Sequence, residues 1–152
     1  MKRKKCLAAL TAAGVISAMA LGMAVTSYAA DGWTKTNDHW TYINQGKTHT
    51  GWLQTSEGYY YMDLSTGYMT TGFKQIDGKW YFFRPGGLMA KGWINPEYGK
   101  WYYMLEDGTM VTGWLRIGDD YYFMRGDGSM GTGWREMDGA WYYFQENGKC
   151  VV

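Results

Sequence analysis

A pair of residues, glycine followed by an aromatic, recurs along this chain at an almost constant interval. It begins at Gly32, Gly51, Gly72, Gly92, Gly113 and Gly133, in steps of 19, 21, 20, 21 and 20 residues. So regular a period restricts the fold to a stack of small units, each burying its apolar face only against its neighbours. In five repeats the aromatic of this pair precedes the first aromatic of a second cluster by seven residues, and in one, which contains Asn95-Pro96-Glu97, by eight. A constant separation of this kind implies a hairpin register set by the intervening turn.

The turns are legible. Glu57-Gly58, Asp77-Gly78, Gly118-Asp119 and Asp138-Gly139 separate the two strands of a hairpin, while Asp107-Gly108, Asp127-Gly128 and Asn147-Gly148 follow the aromatic strand. Glycine and asparagine tolerate the positive φ that tight turns demand. Pro85 and Pro96 are expected in turns and outside strands. No window beyond residue 30 sustains a 3.6-residue apolar period, so the expectation is an all-β chain without helices.

Residues 1–30 read differently. Lys2, Arg3, Lys4 and Lys5 precede an apolar run from Leu7 to Val25, and Ser27-Tyr28-Ala29-Ala30 supplies small residues for cleavage. This is the pattern of a secretory signal peptide, with residues 31–152 as the exported part, secreted and outside the membrane. The exported part holds 11 basic and 14 acidic side chains, a net of −3. That balance argues against nucleic acid or an anionic membrane as partner and suits a cationic ligand. Cys150 is its single cysteine, so no internal disulfide is expected. Aliphatic residues are scarce there, and aromatics are expected to do much of the packing.

Two residues beyond each Gly-aromatic pair stands a polar side chain: Lys35, Gln54, Gln75, Asn95, Arg116 or Glu136. Positions i and i+2 of a strand share a face, so the aromatic shares its face with a residue that favours water. Two readings follow: a ligand platform, or a ring that packs on the next hairpin with the polar residue beyond the contact.

Written out as GW-x(4)-G-x-WYY-x(4)-G-x-M-x-TGW, the unit resembles the choline-binding, or cell-wall-binding, repeats of Gram-positive surface proteins. Gly72 to Trp93 and Gly133 to Gly148 match most closely, and the first repeat, over 31–50, is degenerate, with Thr41 and Thr48 where Tyr and Met would stand. The resemblance implies a solenoid of tandem β-hairpins wound as a left-handed superhelix. It also implies that choline carried on teichoic acids is bound between consecutive repeats, in boxes of three aromatics with a methionine nearby.

Carried onto this sequence, the boxes are Trp33, Trp40 and Tyr60; Trp52, Tyr59 and Tyr81; Phe73, Trp80 and Tyr102; Trp93, Trp101 and Tyr122; and Trp114, Tyr121 and Tyr142. Met69, Met89, Met110 and Met130 fill the methionine position, with Cys150 in the last repeat. The fourth box matches the family best. Within it Trp101 is expected to serve both ligand and hairpin stack, and Trp93 to matter more for binding than for stability. A trimethylammonium head donates no hydrogen bond, so aromatic faces and exclusion of water are its natural recognition, at about 0.5–2 kcal/mol per ring.

The repeats also resemble those of glucan-binding domains and clostridial toxin receptor-binding regions, which makes surface glycan the alternative ligand. A closed three-sided box with methionine favours choline; an open ring flanked by Asn, Gln and Asp favours sugar. A purely structural or adhesive array is a third reading. His39 and His49 have no metal-ligand spacing, the acids sit beside glycine in turns, and no G-x-S-x-G motif occurs, so neither catalysis, a metal nor a cofactor is expected. Finally, Trp134, Trp141 and Tyr143 have no following hairpin in this sequence, which leaves two readings: a homodimer through the C-terminal repeat with a Cys150–Cys150 bridge across it, or a frayed terminus without association.

Overall fold

The computed structural model describes residues 30–151. The export segment expected over residues 1–30 lies, except for Ala30, outside the described residues. Thirteen strands form six hairpins, and among the described residues there is no helix. The hairpins pair β1 (Gly32–Thr36) with β2 (His39–Asn44), β4 (Gly51–Gln54) with β5 (Tyr59–Met62), and β6 (Gly72–Ile76) with β7 (Lys79–Phe83). Then follow β8 (Gly92–Glu97) with β9 (Lys100–Met104), β10 (Gly113–Ile117) with β11 (Asp120–Met124), and β12 (Gly133–Met137) with β13 (Ala140–Phe144). The first hairpin adds a short third strand, β3 (Lys47–Thr48); the other five sheets have two strands. The molecule is an all-β solenoid of tandem hairpins.

The turns fall where the Gly-containing pairs place them, with positive φ at Asp77, Gly78, Gly118, Asp138 and Gly139. One expectation fails. Pro96 lies inside β8, at an irregularity between Ile94 and Glu97 where the register shifts. A bulge leaves a residue outside the ladder, so the missing N–H of proline costs nothing there. The same extra residue accounts for the eight-residue spacing in that repeat.

Facing is set by the pleat. The first-strand aromatic pairs with the third aromatic of the second strand, as in Trp52↔Tyr61, Phe73↔Phe82 and Trp114↔Phe123. The middle aromatic instead faces the residue after the Trp, as in Leu53↔Tyr60, Ile94↔Tyr102 and Leu115↔Tyr122, and all six of these are buried. The deepest column is Met62, Phe83, Met104, Met124 and Phe144, the last residue of the second strand in hairpins two to six, at 0–1% exposure. Two of its five members are phenylalanine and three methionine, so flexible thioethers share with aromatics the packing that Val, Leu and Ile usually provide.

Successive hairpins are joined by one hydrogen bond that repeats down the stack. The backbone N–H at the methionine position donates to the carbonyl oxygen of the first aromatic of the preceding repeat's second strand. Met69 donates to Trp40 at 2.7 Å, Met89 to Tyr59 at 2.8 Å, and Met110 to Trp80 at 2.8 Å. Met130 donates to Trp101 at 2.7 Å and Cys150 to Tyr121 at 2.8 Å.

Candidate functional site: aromatic clefts between hairpins

Each hairpin presents its first-strand aromatic to the next. Trp33 meets Tyr60 with ring centroids 5.0 Å apart, Trp52 meets Tyr81 at 5.0 Å, and Phe73 meets Tyr102 at 4.9 Å. Trp93 meets Tyr122 and Trp114 meets Tyr142, both at 5.1 Å. All five contacts are edge-to-face, the favoured arrangement of two ring quadrupoles. The third ring stands off at right angles: Trp40, Tyr59 and Trp101 each lie 6.4 Å from the first-strand Trp of their own hairpin. Trp80 lines one cleft with Phe73 and Tyr102, and Tyr121 lines another with Trp114 and Tyr142, which completes the other two trios. The five trios named from sequence are therefore brought together.

The first-strand aromatic packs on the next hairpin without being fully covered by it. Trp33, Trp52 and Trp114 pack on the next hairpin yet keep 37–44% of their surface exposed. In the last described hairpin Trp134 and Trp141 are 62% and 59% exposed.

Four of the trios line clefts of about 310–470 Å³, the lower part of the range typical of small-molecule sites. The methionine in each cleft comes from the following repeat: Met89 beside Trp52, Tyr59 and Tyr81; Met110 beside Phe73, Trp80 and Tyr102; Met130 beside Trp93, Trp101 and Tyr122. Cys150 takes that place beside Trp114, Tyr121 and Tyr142. Met69 is tied to Trp40 of the first trio by its backbone hydrogen bond.

A third repeat also contributes, which sequence reasoning missed. Glu106 and Asp107 line the second cleft, Asp127 the third, and Glu146 with Asn147 the fourth. These belong to the turn two repeats beyond the Trp. Asp107 and Asp127 each precede a glycine, Gly108 and Gly128, at which a Cβ would overlap the sulfur of Met89 or Met110. The glycines adopt φ of +84° and +82°, so both space and backbone exclude a side chain. The Asp-Gly pairs were legible as turns; their recurrence at one offset from each methionine was the available signal. The fifth cleft has no such turn residue in its lining. Arg116 instead lies 5.5 Å from the centre of the Tyr121 ring, placing a cation on one wall.

The polar atoms around the clefts are well ordered. Asp107 Oδ1 accepts from the Thr109 hydroxyl at 2.6 Å and its N–H at 2.9 Å, and Asp127 Oδ1 accepts from the Ser129 hydroxyl and N–H at the same distances. The hydroxyl hydrogen bond first, then the backbone one, holds each carboxyl below the usual carboxylate range, so both are charged at neutral pH. Burial, chiefly, raises the phenols of Tyr60, Tyr81 and Tyr102, which keeps those rings neutral. Lys91 pairs with Glu106 at 3.4 Å at the rim of the second cleft, and Glu97 of the third pairs with Lys100 at 2.7 Å.

In the fourth trio the packing falls more on Trp93 than on Trp101. Trp93 contacts Trp101, Tyr103 and Tyr122 and packs on the cluster of Leu115, Tyr122 and Met124. Trp101 is 44% exposed, and Trp93 is the one aromatic ring it contacts among the described residues. Trp93 therefore carries the stacking and Trp101 the open wall. The two histidines lie apart from the clefts' rings: His39 stacks on Tyr68 at 4.2 Å, and His49 Nε2 is 2.9 Å from the Trp52 carbonyl oxygen. No group of three or more His, Cys, Asp or Glu among the described residues is placed to hold a metal.

Comparison with known proteins fits this geometry. The family model described as choline-binding repeat matches residues 70–111, and that described as putative cell wall binding repeat matches 50–69, 112–130 and 132–150. Among solved structures, CbpJ from Streptococcus pneumoniae TIGR4 is 34% identical with a TM-score of 0.77, over 81% of this chain and 46% of that one. Choline binding protein F from the same organism, in the presence of a peptidoglycan analogue, is 40% identical with a TM-score of 0.75, over 81% and 41%. The cell wall endolysin from phage Cp-1, complexed with choline, is 31% identical with a TM-score of 0.57, over 80% and 37%. The chain thus spans less than half the length of each of these three. A search of curated proteins gave no match. Repeats matched from residue 50 to residue 150, on hairpins that bring their aromatics together in trios, show that the chain belongs to the choline-binding, or cell-wall-binding, repeat family.

Proposed function

We propose that the chain is a non-catalytic module that holds its protein on a cell wall by binding choline groups of a wall polymer in the clefts between hairpins. The observation that carries this reading is the fourth cleft, where Trp93, Trp101, Tyr122 and Met130 form a mainly apolar wall with the Glu146 carboxylate beside it. Three rings and a thioether suit a trimethylammonium head, and the carboxylates at the mouths suit its charge. Each site is weak alone; several on one rod, meeting a polymer with many cholines, gain through effective concentration. The Asp107 and Asp127 carboxylates are engaged in shaping turns, which favours binding over catalysis. Residues 31–152 form the binding array and residues 1–30 direct export, so the place of action is the outer surface of the cell. Surface glycan is the less favoured ligand, because the rings stand as three-sided boxes and not as open platforms.

The test is ligand-linked stability. Choline binding only to stacked hairpins raises Tm with concentration, by about 2.7 kcal/mol of stability at 100 times Kd. Thermal scans with choline chloride are to exceed those with equimolar sodium chloride and with a glucan series. Equal shifts with the two salts would remove the choline reading, and a shift with glucan alone would replace it. The same reading includes association of two chains through the exposed Trp134 and Trp141, which sedimentation in reductant, with and without choline, tests; monomer throughout would end it.

A further inference from the structure

A stripe of equivalent positions runs along the solenoid, formed by the residue directly after each second strand and the third residue of the next first strand. After β5 these are Asp63 and Lys74, an ion pair at 3.1 Å. After β7 they are Arg84 and Ile94, and after β9 Leu105 and Leu115. After β11 they are Arg125 and Arg135, two cations where the earlier junction has a cation and an anion.

Arg135 is unusual in three further ways. It stands where Leu53, Ile94 and Leu115 are buried, and its Nε is buried with no hydrogen-bond acceptor. It lies over Gly131, where a Cβ would come 2.7 Å from Nε and 3.0 Å from the Phe123 carbonyl oxygen. The equivalent positions hold Thr70, Ala90 and Val111, so the residue that makes room for the guanidinium occurs in the junction that has one. Neither arginine is in an ion pair among the described residues. Arg125 Nη1 donates to Ser129 Oγ at 3.1 Å, and Ser129 in turn donates to Asp127 at 2.6 Å, so Arg125 has an indirect counter-charge while Arg135 has none. Burial first, then the Arg125 charge, lowers the guanidinium of Arg135 below its usual value.

Half-burying two like charges, with one N–H left without an acceptor, is unfavourable unless an anion joins them. We propose that Arg125 and Arg135 form an oxyanion site, distinct from the aromatic clefts, that takes a phosphate group. Planar guanidinium groups present paired donors that match a phosphate's oxygens, which makes arginine the usual residue for this task. The phosphate is either a phosphodiester of an anionic polymer or free phosphate; the chemistry recognised is shared. In the first case the rod reads both charges of a zwitterionic repeat, cation in the clefts and anion at this junction. The site does not depend on what the clefts bind.

The experiment titrates the full exported chain with inorganic phosphate against sodium chloride of equal ionic strength, following Tm and heat of binding. Arg135→Leu reproduces Leu115 at its position and Arg125→Gln reproduces Gln145, so both are compatible with the fold. Because phosphate stabilises proteins generally, the quantity read is the difference from wild type. Each variant is expected to weaken the phosphate response by about tenfold or more and to keep the choline-dependent rise in Tm. A phosphate response in both variants equal to that of wild type overturns the site, whatever choline does. A choline-free poly(glycerol phosphate) then separates the sources: binding at lower phosphate equivalents than the monomer assigns the polymer, and no gain over the monomer assigns free phosphate.

Discussion

The backbone amide of Met110 donates to the carbonyl oxygen of Trp80 at 2.8 Å, and the Met110 side chain closes the cleft that Trp80 shares with Phe73 and Tyr102. One residue thus sets the spacing between two hairpins and completes the site between them. Behind Met110 stands Gly128 of a third repeat, with Asp127 at the cleft's mouth. On the proposed function, stability and choline binding are coupled through this arrangement.

Gly108→Ala is expected to be damaging. Its φ of +84° and the overlap with the Met89 sulfur both oppose a Cβ, for a loss of about 1–3 kcal/mol and a lower Tm. Gly126→Ala is the control, since nothing lies within 4 Å of a Cβ there and its φ is outside the left-handed region. That substitution is expected to be neutral or to stabilise by up to about 1 kcal/mol. Denaturant unfolding of the pair measures the contrast.

Trp93→Ala is expected to cost about 2–3 kcal/mol of stability, because it removes the ring that packs on Tyr103, Tyr122 and the Leu115 cluster. Trp101→Ala removes a half-exposed wall and is expected to cost about 1 kcal/mol or less. Both are expected to lower retention on a choline resin. A larger loss of Tm for Trp101→Ala would restore the opposite assignment.

Asp107→Asn and Asp127→Asn isolate the charge at the cleft mouths. Asn147 already fills this position in the last repeat, with its Oδ1 accepting from the Lys149 N–H at 3.0 Å, so the turn survives the change. Each variant is expected to bind choline several-fold more weakly at low salt and to approach wild type as salt screens the carboxylates. Calorimetric titration at two ionic strengths reads the difference.

Acid is expected to weaken the stack. The Asp107 and Asp127 carboxyls titrate below their usual 3.8, so the folded state favours the charged form. Their stabilisation is complete above the unfolded value, about 4, and is lost as pH falls through the lower folded values. Tm is therefore expected to be level from pH 5 to 7 and to drop below about pH 4, less steeply in the double variant Asp107→Asn, Asp127→Asn.

Much of the molecule was written in short-range pattern. The period, the seven-residue register and the alternation of Trp with Lys35, Gln54 or Arg116 specify a hairpin and its two faces, because turn chemistry and the pleat act over a few residues. The trios followed from the family resemblance, and the stacking gathers their residues around shared clefts or ring contacts. Pro96 escaped because a bulge admits a proline that a regular ladder would reject. The rest depended on how each hairpin is rotated on the last. That rotation brings Asp107 and Gly108 to a cleft that begins at Trp52, makes Trp93 the packed ring and Trp101 the open one, and sets the Arg135 guanidinium over Gly131. Contacts between repeats join residues tens of positions apart, and only the stacked hairpins determine which of them meet.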